Sequence, residues 1–152
     1  MREIVLILQN IRSLHNVGSI FRSADVFGAA KIYLTGYTGA PPRKEISKVA
    51  LGAETWIPWE FCARTSAVIK RLRAQKFQII ALETAGRPLE RHRLKNKIAL
   101  VLGNEVRGVS KAILKQADQV LAIPMFGKKE SLNVSVAAGV ALYALRQSDK
   151  RA

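Results

Sequence analysis

Two apolar runs, Ile98-Ala99-Leu100-Val101-Leu102 and Val120-Leu121-Ala122-Ile123, each break off into polar loop chemistry. The first gives way to Gly103-Asn104-Glu105-Val106-Arg107-Gly108, the second to Pro124-Met125-Phe126-Gly127-Lys128-Lys129-Glu130-Ser131-Leu132-Asn133. Short apolar runs bounded by glycine and proline read as strands buried on both faces, the mark of a parallel sheet. In open α/β sheets ligands sit beyond the carboxyl ends of the strands, so these loops are the first place to look for a site.

Working outward, residues 4–8 form another such run, followed by a loop over 9–16 and a helix carrying Val17, Ile20, Phe21, Ala24 and Phe27 at amphipathic spacing. Asn16 stands where an N-cap belongs, and Gly28 where a helix stops. Arg22 lies on the polar side, one turn from Asp25, so a surface ion pair is its simplest reading. Residues 31–35 read as a strand, 45–52 as a short helix, and 65 onward as a helix with Val68, Ile69 and Leu72 inside. A strand over 77–82 then ends in Glu83-Thr84-Ala85-Gly86. Between them, Trp56, Pro58 and Trp59 predict an ordered, non-helical segment with the large rings packed inside. A helix over 110–117 joins the two opening strands, and another over 135–146 closes the chain. This last helix is apolar nearly all round, with Val136, Val140 and Tyr143 on one face and Ala137, Ala141, Ala144 and Leu145 filling most of the rest. It predicts a core contact on one side and a homodimer interface on the other. The order β-α-β-α-α-β-β-α-β-α predicts an α/β fold with a mainly parallel sheet flanked by helices, a single domain over 1–147 and a frayed tail over 148–152.

The 152 residues suffice for one core and are short for a second domain. Twenty-five Lys and Arg against 11 Asp and Glu leave +14. Residues 87–97 alone hold Arg87, Arg91, Arg93, Lys95 and Lys97 against Glu90. That balance predicts a polyanionic partner, nucleic acid ahead of a membrane surface. No apolar run is long enough to span a bilayer, and no signal peptide precedes the first strand, so a cytoplasmic protein is expected. Cys62 is the lone cysteine, which excludes intrachain disulfides and thiolate metal clusters. His15 and His92, both read as loop residues, make no metal-ligand set or nucleophile triad. Phosphate-cradling signatures fail too, since Gly108 is followed by Val109-Ser110 and no Gly-x-Gly-x-x-Gly follows a strand.

Three strand ends remain: Leu82-Glu83-Thr84, Gly103-Asn104-Glu105 and Ile123-Pro124-Met125. Main-chain donors and acceptors beside Leu, Ile and Met side chains suit a flat, polar, adenine-like ligand. Taken singly, each is equally compatible with ordinary turn chemistry.

In combination they carry a resemblance. Asn16-Val-Gly-Ser-Ile-Phe-Arg22-Ser-Ala-Asp25, Leu102-Gly-Asn-Glu105-x-x-Gly108, and Ile123-Pro-Met125 followed by Ser131-Leu-Asn133-Val-Ser-x-Ala-Ala138 occur in this order. They closely resemble the three motifs of the SpoU/TrmH RNA methyltransferases of the SPOUT superfamily, over residues 4–146. The resemblance implies a deep C-terminal trefoil knot that binds S-adenosylmethionine, a homodimer, and methylation of the ribose 2′-hydroxyl of tRNA or rRNA, while the lack of a metal-ligand set leaves no metal expected. By position, Arg22 matches the catalytic arginine, Asn16 the asparagine that helps position it and the RNA, and Glu105, Ser131 and Asn133 the remaining active-site positions. Around the methyl donor the resemblance implies Leu82, Glu83, Thr84, Gly103, Asn104, Glu105, Gly108, Ile123, Pro124, Met125, Ser131, Leu132, Asn133 and Ala137. Many members carry an extra RNA-binding segment at one end and this chain shows none. RNA capture is therefore expected on its basic surface, including Arg12, Arg22, Arg43, Lys44, Lys48, Lys128 and Lys129. A guanidinium is effectively always protonated, so Arg22 is expected to orient and polarise the hydroxyl and clamp a phosphate rather than act as a free base. The alternatives are a base methyltransferase on the same scaffold, against which Arg22, Ser131 and Asn133 argue, and a non-catalytic basic RNA-binding module.

Overall fold

The computed structural model describes residues 1–89 and 93–149. In chain order its elements are β1 (Glu3–Gln9), α1 (Leu14–Val26), β2 (Lys31–Thr35), α2 (Lys44–Ala50), α3 (Ala53–Trp56), β3 (Trp59–Cys62), α4 (Thr65–Ala74), β4 (Gln78–Pro88), β5 (Lys97–Leu102), α5 (Lys111–Gln116), β6 (Gln119–Ala122) and α6 (Val134–Asp149). The strands form one sheet in the order β3-β2-β1-β5-β4-β6, and every ladder between them is parallel.

Side chains alternate across this sheet, and each set finds helices. Ile4, Leu6, Leu8, Ile98, Leu100 and Leu102 face a core completed by α1, α2, α3 and α6, with Phe21 and Leu142 at its centre. Val5, Ile7, Ala99 and Val101 face the other layer, filled by Val68, Ile69 and Leu72 of α4 and Ile113 of α5. Burial on both faces is why β1 and β5 are continuous apolar runs.

Several local expectations give way. Ser13, not Asn16, caps α1, its hydroxyl accepting from the Asn16 N–H at 3.1 Å. The helix thus starts one turn early, takes His15 out of the loop and leaves the Asn16 side chain free for other partners. Gly28 does stop it, at φ +66°. Asp25 does not pair with Arg22; its carboxylate accepts the Trp56 indole N–H at 2.8 Å. That bond sits on the surface, where Trp56 ends a helical turn and is 58% exposed, contrary to the buried, non-helical reading. Trp59 opens β3, an edge strand. At the far end α6 runs through Asp149, so Ser148 and Asp149 are not frayed: Arg2 donates to both, and Arg146 donates to the carbonyls of Arg2, Phe27 and Gly28. Glu90, Arg91 and His92, and residues 150–152, lie outside the described residues.

β4 also runs further than its apolar run. Leu121 of β6 pairs first with Leu82 and then with Arg87, so residues 83–86 bulge out of the ladder. Gly86 permits the close approach, since a Cβ there would lie 2.5 Å from the Leu121 carbonyl carbon. A bulge redirects the strand it interrupts, and this one sends Glu83 and Thr84 to the cavity described next.

Candidate active site

The bulge in β4 and the carboxyl ends of β5 and β6 open on a cavity of about 430 Å³. Of the expected ligand-binding residues, Leu82, Glu83, Thr84, Gly103, Asn104, Glu105, Gly108, Ile123, Met125, Ser131, Leu132 and Ala137 line it. Pro124 and Asn133 do not; Pro124 stands between two lining residues, and Asn133 turns to α1. The sequence reading missed Leu102, Val106, Arg107, Glu130 and Val134, each adjacent to a residue it named.

Close packing shapes the wall between two of the loops. The Glu83 carboxylate accepts from the Val109 N–H and lies against Gly108, whose φ is +68°. A Cβ on Gly108 would come within 2.3 Å of Glu83 Oε1, and one on Gly103 within 2.2 Å of the Gly108 and Val109 backbone. Asn104 ties the turn together. Its Oδ1 accepts from the Val106 and Arg107 N–H groups, its Nδ2 donates to the Asn10 carbonyl and the Tyr37 hydroxyl, and its backbone pairs with Gly108 in both directions. Every polar group of Asn104 is thereby used within the protein, so it contributes shape rather than a hydrogen bond to a ligand.

A second network joins the cavity to α1. Glu105 Oε1 accepts from the Ser13 N–H at 3.1 Å and from Asn16 Nδ2 at 3.2 Å, and Oε2 accepts from the Arg12 N–H at 3.0 Å. Asn133 Nδ2 donates to Asn16 Oδ1 at 3.3 Å, while Asn133 Oδ1 caps α6 through the N–H groups of Ser135 and Val136. Burial opposes ionisation of Glu105, but the N–H groups of Arg12, Ser13 and Glu105 itself, with the Asn16 amide, outweigh it and hold the carboxyl below its ordinary value. Asn16, Glu105 and Asn133 are therefore brought together, and Ser131 shares the cavity wall with Glu105.

Arg22 is not brought in. It sits exposed on α1, outside the cavity lining, and among the described residues it has no hydrogen-bond or ion-pair partner. The other expected RNA-binding residues, Arg12, Arg43, Lys44, Lys48, Lys128 and Lys129, are exposed as well, with Arg43 4.0 Å from Glu45. Gln9 and Tyr37 also serve the site unannounced: Gln9 bonds both the hydroxyl and the N–H of Ser110, and Tyr37 holds Asn104. Gln9 ends a central strand, so strand-end logic alone points to it. Among the described residues no group of His, Cys, Asp and Glu is placed to hold a metal, and no helix is long and apolar enough to cross a membrane.

Fold and site together define an α/β protein with a nucleotide-sized cavity at the carboxyl ends of its parallel strands. The chain belongs to the SpoU rRNA Methylase family, whose model matches residues 3–143. It is 38% identical over 141 residues to a tRNA/rRNA methyltransferase of Archaeoglobus fulgidus whose function is uncharacterized, covering 93% of this chain and 63% of that one. Against the 23S rRNA (guanosine-2′-O-)-methyltransferase RlmB of Vibrio cholerae it is 34% identical over 151 residues, covering 96% and 60%. The chain thus spans about three-fifths of the length of these curated relatives. Among solved structures, an rRNA methyltransferase from Sinorhizobium meliloti with AdoMet bound superposes with a TM-score of 0.90 at 30% identity, covering 96% of this chain and 56% of that one. A structure from work on 2-OH methylation of C/U34 on tRNA superposes with a TM-score of 0.86 at 25% identity and is covered over 99% of both chains.

Proposed function

We propose that this chain is an S-adenosylmethionine-dependent methyltransferase acting in the cytoplasm on the ribose 2′-hydroxyl of a structured RNA, tRNA or rRNA. The cavity walled by three strand-end loops carries the reading, its volume of about 430 Å³ falling within the usual range for small-ligand sites. The residues present fit the cofactor. Leu82, Leu102, Ile123, Leu132 and Val134 offer apolar surface for a flat base, and the carboxylates of Glu83 and Glu130 suit a ligand bearing a positive sulfonium. The segment from β4 to α6 is proposed to close as the trefoil knot, within one catalytic unit over 1–147.

When bound, S-adenosylmethionine supplies an electrophilic methyl group. The protein must then hold the ribose oxygen in line with it and ease loss of the hydroxyl proton. The Glu105–Asn16–Asn133 network keeps α1 rigidly against the cavity loops. Ser131, whose hydroxyl can hydrogen-bond the ribose oxygen, supports this reading as a residue of the cavity wall. With Asp25 held by Trp56, the Arg22 guanidinium is left to clamp an RNA phosphate and polarise the hydroxyl, and the proton passes to an RNA phosphate oxygen.

A homodimer through α6 belongs to this reading. Val136, Val140 and Tyr143 are 51%, 41% and 54% exposed and line an apolar groove with Phe27, Ser19 and Ser23 of the α1 side. Since Arg22 lies outside the cavity lining, docking of a second copy is what brings an Arg22 against the loops. A tRNA substrate gains support from the tRNA-related structure of matching length, and an rRNA substrate from the relatives named for 23S rRNA. Incubation of the protein with methyl-labelled S-adenosylmethionine and total RNA tests the reading: label enters RNA, and label in no RNA fraction would refute it.

A further inference from the structure

Tyr37 carries an inference that rests on the RNA methyltransferase reading. It belongs to the turn after β2, yet its phenol oxygen accepts from Asn104 Nδ2 at 2.9 Å, and Asn104 lines the cavity. The turn is built to keep it there. Gly36 has φ +65°, and a Cβ on it would overlap Asn10 Oδ1 at 1.8 Å. That same oxygen accepts from the Tyr37 N–H at 3.1 Å. Next to it, the buried Thr38 hydroxyl donates to the Leu8 carbonyl and accepts from the Ile11 N–H. Tyr37 is thus fastened at its backbone and at its hydroxyl, yet the residue is 61% exposed. Packing does not account for a large ring pinned in solvent beside a cavity. The loops that hold it also carry positive charge: exposed Arg12 follows Asn10, and exposed Arg107 lies in the turn that Asn104 ties.

We propose that the Tyr37 ring is a stacking platform for an unpaired base of the substrate RNA at or beside the target nucleotide. The base lies on the ring while its ribose reaches the mouth of the cavity. Single-stranded RNA is commonly held this way, with unstacked bases laid on aromatic faces and phosphates met by arginine.

The test compares full-length wild type with Tyr37→Ala and Tyr37→Phe, using refolded total RNA from cells lacking the gene. It reads the KM for RNA in methyl transfer, retention of RNA on filters, and the Kd for S-adenosylmethionine. Tyr37→Ala is expected to raise the KM for RNA roughly tenfold and weaken filter retention in parallel, with cofactor affinity held. Tyr37→Phe keeps the ring and loses only the bond to Asn104, so it is expected to raise the KM for RNA by clearly less than Tyr37→Ala. An unchanged KM in Tyr37→Ala overturns the proposal. So do equal losses in both variants with weakened cofactor binding, which would make Tyr37 a prop for Asn104. Wild type that labels no RNA refutes the methyltransferase reading instead, and filter retention of Tyr37→Ala against wild type still decides the stacking.

Discussion

Asn16 Nδ2 donates to Glu105 Oε1 at 3.2 Å, and through its other amide atom Asn16 accepts from Asn133 at 3.3 Å. One buried side chain on α1 therefore joins the turn after β5 to the start of α6. The network is local in space and remote in sequence, and it has measurable consequences.

Glu105→Gln removes the charge that gathers the Arg12 and Ser13 N–H groups. Charge-assisted hydrogen bonds of this kind contribute about 2 kcal/mol, which sets the expected loss of stability near neutral pH. Because the folded carboxyl lies below its ordinary value, the stabilisation is complete above the unfolded pKa and disappears as pH falls through the folded one. Thermal melting should show wild type losing more on acidification than Glu105→Gln, the two converging at low pH. Parallel curves would contradict this.

Gly108→Ala places a methyl group against the Glu83 carboxylate at a backbone φ of +68°. The left-handed conformation alone costs a side chain about 1–2 kcal/mol. Calorimetry should find S-adenosylmethionine binding weakened by roughly tenfold or more, equivalent to about 1.4 kcal/mol. Gly103→Ala should be worse, because it meets backbone atoms that cannot swing away. Gly127→Ala, with nothing within 4 Å of the added methyl, serves as the neutral control.

Arg22→Ala should lower the rate of methyl transfer at saturating RNA by about a hundredfold, the scale of losing one preorganised transition-state donor. Cofactor affinity should hold, since Arg22 does not line the cavity. Arg22→Lys keeps the charge but loses the two-pronged geometry, and near-full activity in that variant would contradict the clamping role.

Val140→Glu with Tyr143→Glu puts carboxylates on the exposed face of α6. Light scattering should show a dimeric wild type and a monomeric double variant that no longer transfers methyl groups. A monomeric, active wild type would contradict the dimer.

What was legible in the sequence follows from how far each interaction reaches along the chain. β1 and β5 announce themselves because both faces are buried and their residues are continuously apolar. β3 does not: an edge strand of alternating exposure, it opens at Trp59, in a stretch that reads only as ordered and non-helical. The Asn16 cap was misplaced by three residues because Ser13 and Asn16 are both good capping types, and only partners 89 and 117 residues away decide between them. Asp25 was drawn locally to Arg22 for the same reason, while its partner Trp56 lies 31 residues on. The cavity was largely legible, since strand ends in a parallel sheet converge by construction; the tilt of Asn133 away from it toward α1 was not.

The central claim is methyl transfer to a ribose oxygen, and the position of the label decides it. RNA methylated by the protein from labelled S-adenosylmethionine is hydrolysed in alkali, which needs a free 2′-hydroxyl to cleave. Label recovered in alkali-resistant dinucleotides is the predicted result. Label recovered on mononucleotides would contradict it and mark base methylation, and RNA retained on filters without any label would mark a binding module.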